Sequence, residues 1–214
     1  MQSNNWFNKF KNIFKDIQRK RFFLLITLLT IFHHISSAQR DPQLREALST
    51  MTKASISGDI EGILSQTSPR IIESMGGIEQ ATKVTKELYS SLIKYGVKID
   101  SMINYVDMDI SKIDGIAYCF IPQVLVMSMP EKDKMAITSA NLLALKEDET
   151  KKWTFFNFNK MNQEMINMLL PEFNGKISLP PDLEKKTLVV RKEEVAKTVN
   201  QLMKLIDESV KKHH

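Results

Sequence analysis

Gly115–Phe158, GIAYCFIPQVLVMSMPEKDKMAITSANLLALKEDETKKWTFFNF, is the stretch whose reading decides the fold. It holds three runs of strand-forming residues, Gly115–Met129, Lys134–Lys146 and Lys152–Phe158, divided by the polar connectors Pro130–Asp133 and Glu147–Lys151. Apolar and β-branched runs between turn-rich connectors predict an antiparallel meander. The connector lengths set its register. Four residues oppose Met129 to Lys134, which puts Tyr118, Phe120, Val124 and Val126 on one face with Met135, Ile137, Leu143 and Leu145. The other face then carries Ala117, Cys119, Ile121, Gln123, Leu125 and Met127 beside Ala136, Thr138, Ala140, Leu142 and Ala144. Five residues oppose Lys146 to Lys152, which adds Trp153, Phe155 and Asn157 to the first face. Strand side chains alternate, so a slip of one residue exchanges the faces. The bulkier first face is the expected core. Ser139, Asn141 and Asn157 point into it, with the two asparagines directly opposed.

Working outward towards the N-terminus, Asp41-Pro42 reads as a cap and first-turn proline. Leu44, Ala47, Leu48, Met51 and Ala54 give the helix that follows an apolar stripe, and Gly58 ends it. Asp59 caps a shorter helix through Ile60, Ile63 and Leu64. After the break Thr67-Ser68-Pro69, the short segment Arg70–Met75 and the Gly76-Gly77 turn, a third helix runs from Ile78 to Tyr95. Its apolar side is Ala81, Val84, Thr85, Leu88, Leu92 and Tyr95, and Gly96 is its C-terminal stop. Val97–Val106 is the first strand. Asp107–Asp114 lacks the spacing and closing glutamate of a calcium-binding loop and reads as a solvated turn.

On the C-terminal side, Met161–Leu170 is a short helix stopped by Pro171. Met161, Met165 and Met168 fall at helical spacing and read as core filling. Residues 174–186 are a linker, and Thr187–Lys212 is an amphipathic helix with Val195, Val199, Leu202 and Ile206 in its stripe. Two heptads fall short of a coiled coil, so that helix is expected to dock on the domain or on a partner chain.

Composition narrows the function. Residues 1–38 hold six of the 30 basic and one of the 25 acidic residues, so the remaining chain is balanced at 24 each. That removes the basic footprint of a nucleic-acid binder. The histidines are His33, His34, His213 and His214, which leaves the body without an imidazole for Ser-His-Asp, Cys-His or metal chemistry. Cys119, the one cysteine, sits in an apolar run with nothing nearby to lower its pKa and reads as an inert buried thiol. No cofactor, metal ligand set or catalytic residue is expected. Met1–Arg21 is basic, Phe22–Phe32 is apolar, and Ser36-Ser37-Ala38 precedes Gln39, the order of a secretory signal peptide with cleavage near Ala38/Gln39. The alternative is an uncleaved N-terminal signal anchor, although eleven residues fall short of the roughly 20 that span a membrane. The expected location is the periplasm or the exterior, with membrane contact only through this segment.

Helices followed by a curled antiparallel sheet make an α+β arrangement with the helices on one face. The helix–Ser57-Gly58-Asp59–helix start, Ser68-Pro69-Arg70…Gly76-Gly77 leading into a long helix, and the closing Trp153-Thr154-Phe155-Phe156 strand resemble the superfamily of nuclear transport factor two, limonene epoxide hydrolase and ketosteroid isomerase. Pro122-Gln123, Lys152-x-x-Phe155 and Leu170-Pro171…Leu179-Pro180 look like secreted bacterial members of it. The resemblance covers Leu44–Phe158. It implies a cone-shaped sheet of four or more strands wrapped around three N-terminal helices over residues 41–173, with the C-terminal helix as an extension. It also implies a cone able to hold a small apolar ligand. Enzymes of that superfamily use a buried aspartate, often with tyrosine or histidine; Asp100, Asp107 and Asp109 fall at the polar side or end of the first strand and match no such acid.

The resulting expectation is a non-enzymatic ligand-binding or interaction module with a pocket lined by Tyr118, Ser139, Asn141, Trp153, Asn157 and Tyr89. Two alternatives stand beside it. One is an isomerase-, hydratase- or hydrolase-like enzyme using Tyr89 or Tyr118 with a carboxylate. The other is a structural homodimer through the outer sheet face, where Leu125, Met127, Leu142, Phe156 and Phe158 are too apolar to face water.

Overall fold

The structure, a computed structural model, describes residues 41–148, 150–157, 163–177 and 187–212. The expected signal segment and its cleavage site, Phe158, Met161 and the terminal histidines lie outside these residues. Chain order is α1 (Pro42–Ser57), α2 (Ile60–Ser65), α3 (Pro69–Ser74), α4 (Ile78–Lys94), β1 (Lys98–Asn104), β2 (Ser111–Ile113), β3 (Ile116–Ser128), β4 (Lys134–Glu147) and β5 (Trp153–Asn157). Then come α5 (Gln163–Leu169), a 3-10 turn Pro171–Phe173, β6 (Leu188–Arg191), a 3-10 turn Lys192–Glu194 and α6 (Val195–Lys212). This is an α+β domain built on a strongly curled antiparallel sheet.

The long hairpin β3–β4 is its spine, and its register is the one the four-residue connector dictates: Tyr118 opposes Leu145, Val124 opposes Ser139 and Ser128 opposes Met135. Short strands flank it end to end on both edges. β1 pairs with the Gln123–Ser128 half of β3 and β2 with Ile116–Tyr118, while β5 and β6 pair with opposite ends of β4. The seam between β1 and β2 explains a proline in the middle of a central strand. Tyr105 N donates to Pro122 O at 2.8 Å, so the backbone polar groups of Pro122 are directed at that outer edge. Its missing N–H falls in the gap between the two flanking strands and not in the β3–β4 ladder. β2 itself corrects the reading of Asp107–Asp114 as a turn alone. Asp114 and Gly115 both have positive φ, 47° and 88°, and form the two-residue hairpin loop that Asp-Gly favours.

The second connector departs from expectation by one residue. β4 runs on to Glu147, Lys151 N bonds back to Glu147 O at 2.9 Å, and Lys151 adopts φ 53°. This turn absorbs one residue more than a symmetric loop, so Lys146 opposes Trp153 and not Lys152. Trp153, Phe155 and Asn157 therefore lie on the second face. Thr154 and Phe156 take their places on the first.

Both faces are covered, and by the reverse of the expected elements. α1 lays Leu44 and Leu48 on the second face against Cys119, Ile121, Leu142, Ala144, Trp153 and Phe155. A helix that brings its own leucines needs small residues beneath it, which accounts for the alanines and the cysteine there. The bulky first face is closed at one end by Ile166, Leu170, Phe173 and Ile177, packed on Ile116, Leu143, Leu145 and Phe156. At its other end Val199 and Ile206 of α6 close over Val124, Val126 and Ile137. The segment after Thr187 is thus part of the core and opens with a strand; helix begins only at Val195. Among the described residues no helix is long and apolar enough to cross a membrane.

Candidate functional site

The six side chains expected to line one pocket do not meet. Tyr118 and Asn141 lie on the first face, where Tyr118 stacks obliquely on Phe173 with ring centroids 4.9 Å apart. Ser139 is on the same face, opposite Val124. Trp153 is buried on the second face beneath α1, with Lys146 Nζ 5.7 Å from its ring centroid. Asn157 is exposed at the end of β5 and opposes Leu142, so the expected Asn141–Asn157 pair is split across the sheet. The apolar patch is divided in the same way: Leu142 is buried under α1 and Phe156 under α5, on opposite faces.

Tyr89, the sixth, borders a cleft. Two helices end side by side, α1 at Ser57 and α4 at Lys94, and each reverses through a glycine in the left-handed region, Gly58 (φ 69°) and Gly96 (φ 65°). Between these ends and the start of β1 opens a cleft of about 420 Å³. Its walls are mainly Ile56, Leu92, Ile93, Val97 and Ile99, and Tyr89 crosses its floor. The tyrosine ring rests on Gly58, where a Cβ would stand 3.4 Å from Cδ1, and its hydroxyl donates to Ser55 O at 2.8 Å. Burial raises the Tyr89 pKa. The phenol is therefore protonated at neutral pH, with its proton committed to a helix-end carbonyl. Lys98 stands at the mouth.

A second polar feature lies at the junction of α1 and the sheet. Gln123, 2% exposed, donates to Asn104 Oδ1 at 2.6 Å, and Asn104 donates to Thr52 Oγ1 at 3.0 Å. Two neighbouring strands and α1 are joined by this line. It contains no titratable group, so it holds position and moves no proton near neutral pH. The acids are elsewhere. Asp100 sits at the bulge in β1 and accepts from Ser128 on the exposed side. Glu147 and Glu172 pair with Arg70 at 2.8 and 2.9 Å, joining α3, the end of β4 and the turn after α5. Among the described residues no group of three His, Cys, Asp or Glu side chains is placed to hold a metal ion.

The sequence did carry a sign of the cleft in the two helix-ending glycines, each followed by the start of a new element. What it lacked was the approach of two helix-ending glycines 38 residues apart. No family model, curated protein or solved structure matches the chain.

Proposed function

We propose that the chain is an exported, non-enzymatic binding module that takes a small, mostly apolar ligand in the cleft between α1, α4 and β1. The observation that carries this is the cleft itself: about 420 Å³, walled by aliphatic side chains, with a tyrosine oxygen at its floor. A volume of this order, apolar walls and a few polar groups are what small-molecule sites share. No His, Cys, Asp or Glu is among the described residues that line it, which favours binding over proton transfer. The helix-first order and curled sheet are compatible with the cone-shaped superfamily of nuclear transport factor two, and a cleft beside the first strand suits that reading. Export rests on the basic, apolar and small-residue order of residues 1–38.

The test is a thermal-shift and native mass-spectrometry screen of the full chain against small aliphatic and aromatic compounds, run beside Ile56→Trp. The indole is sized to fill the cleft from its half-exposed rim. Compounds that stabilise the natural chain and fail on Ile56→Trp support the site. Stabilisation that survives the substitution, or none from any compound, refutes it.

A further inference from the structure

α4 carries a second apolar surface that its own domain leaves bare. The helix packs inward through Ala81, Thr85, Tyr89 and Leu92, yet Val84 is 41%, Leu88 57% and Tyr95 68% exposed. Val84, Leu88, Ser91 and Tyr95 follow one another at spacings of four and three, the seam by which two helices pack along their length. Ser91 is fit for burial in such a seam because its hydroxyl already donates to Glu87 O at 2.8 Å. Glu87 and Lys94 border the seam one heptad apart, and no ion pair among the described residues engages either.

We propose that the partner on this surface is a second copy of the chain, with the two α4 helices antiparallel. A two-fold axis near Tyr89–Ser90 sets Val84 against Tyr95 of the second copy and Leu88 against Ser91. The same axis brings Glu87 of each copy beside Lys94 of the other, two opposite-charge contacts produced by one register. A parallel pair would instead put Glu87 and Lys94 of one copy on the opposite side of the seam from those of the other and lose both contacts. Thr85, Tyr89 and Leu92 stay on the inward side, so the cleft remains open and the pairing is independent of any ligand. The helix has 17 residues and is about 26 Å long. One helix pair of that length falls at or below about 1,200 Å² of buried surface, the class of weak association, so the dissociation constant is roughly micromolar to tens of micromolar.

Sedimentation equilibrium of the full chain from about 1 to 200 µM spans that range. The expected result is a rise from the monomer mass of 24.7 kDa towards twice that value. Leu88→Glu, at a site already in water, abolishes the rise while circular dichroism stays unchanged. Glu87→Lys and Lys94→Glu each weaken association about tenfold, because each turns two attractive contacts into repulsive ones. The double exchange restores it. A chain that stays monomeric throughout, an unchanged rise in Leu88→Glu, or a double exchange no better than the single ones overturns the proposal. The last of these outcomes would indicate a different register or a different partner.

Discussion

Asn104→Leu tests the polar line beneath α1, because it removes a hydrogen-bond partner without removing the need for one. Gln123 is 2% exposed and cannot turn to water when Asn104 Oδ1, 2.6 Å away, is gone. A buried amide left without its acceptor costs about 1–3 kcal/mol. Thr52 is half-buried at the solvent side of α1 and recovers its bond from water, so it adds little. Leucine suits a strand at least as well as asparagine, so backbone preference does not inflate the loss. For a domain of this size the cost lowers Tm by roughly 2–12 °C. Gln123→Met alone is expected to cost less than about 1 kcal/mol, since the chain keeps its volume and the amide leaves with its demand. In the double variant nothing buried is left wanting a partner, so it should be more stable than Asn104→Leu. Urea unfolding of all four proteins at constant m measures the coupling. If the double variant loses the sum of the two single losses to within about 0.5 kcal/mol, the two amides are not coupled and the reasoning fails.

Phe173→Ala tests whether the segment after β5 belongs to the core. Phe173 is fully buried against Tyr118 and its neighbours on the first face, so its truncation should cost about 3–5 kcal/mol in one cooperative transition; a loss under 1 kcal/mol would mean that the segment is only draped on the sheet. Arg70 provides a pH test. Burial works to raise the Glu172 pKa, but its own backbone N–H and the Arg70 guanidinium outweigh that and hold it below the usual carboxylate value. The unfolded chain thus binds the proton first as pH falls. The stabilisation is complete above the unfolded carboxylate pKa and is lost as pH drops through the folded one. Because the three side chains are partly open to solvent, Arg70→Met should cost about 0.5–1.5 kcal/mol at pH 7 and flatten the fall of stability below about pH 5. An acid limb as steep as that of the natural chain would contradict this assignment.

How far the sequence could be read depended on whether a feature was local. The β3–β4 register followed from a four-residue connector and strict alternation, both visible in Gly115–Lys146. The next connector could not be counted the same way, because Lys151 adopts a left-handed conformation that nothing in Glu147–Lys151 announces. Glycine or asparagine is the usual signal for such a turn. That single residue carried Trp153, Phe155 and Asn157 to the other face and dissolved the pocket expected there. Asp114-Gly115 was the opposite case: a strong hairpin signal hidden by the acidity of the residues before it. The helix ends and caps from Asp41 to Gly96 were legible because proline, aspartate and glycine mark them directly. The exposed half of α4 was not, since an apolar stripe looks the same whether it meets its own sheet or another molecule.

Side-chain size on the two faces ties these points together and explains where the site lies. The second face mixes Cys119 and Ala144 with Ile121, Leu142, Trp153 and Phe155, and the small residues among them seat α1, which adds Leu44 and Leu48. A face of Tyr, Phe, Leu and Val already supplies bulk, so short segments are enough to cap it at either end. Both faces of the sheet are thus packed by helices and short segments. The cleft opens at the rim, between the ends of α1 and α4 and the start of β1. The polar groups there are Tyr89, bound to the Ser55 carbonyl, together with Ser57 and Lys98. That lining, aliphatic with a few polar groups, is what the proposed binding role draws on.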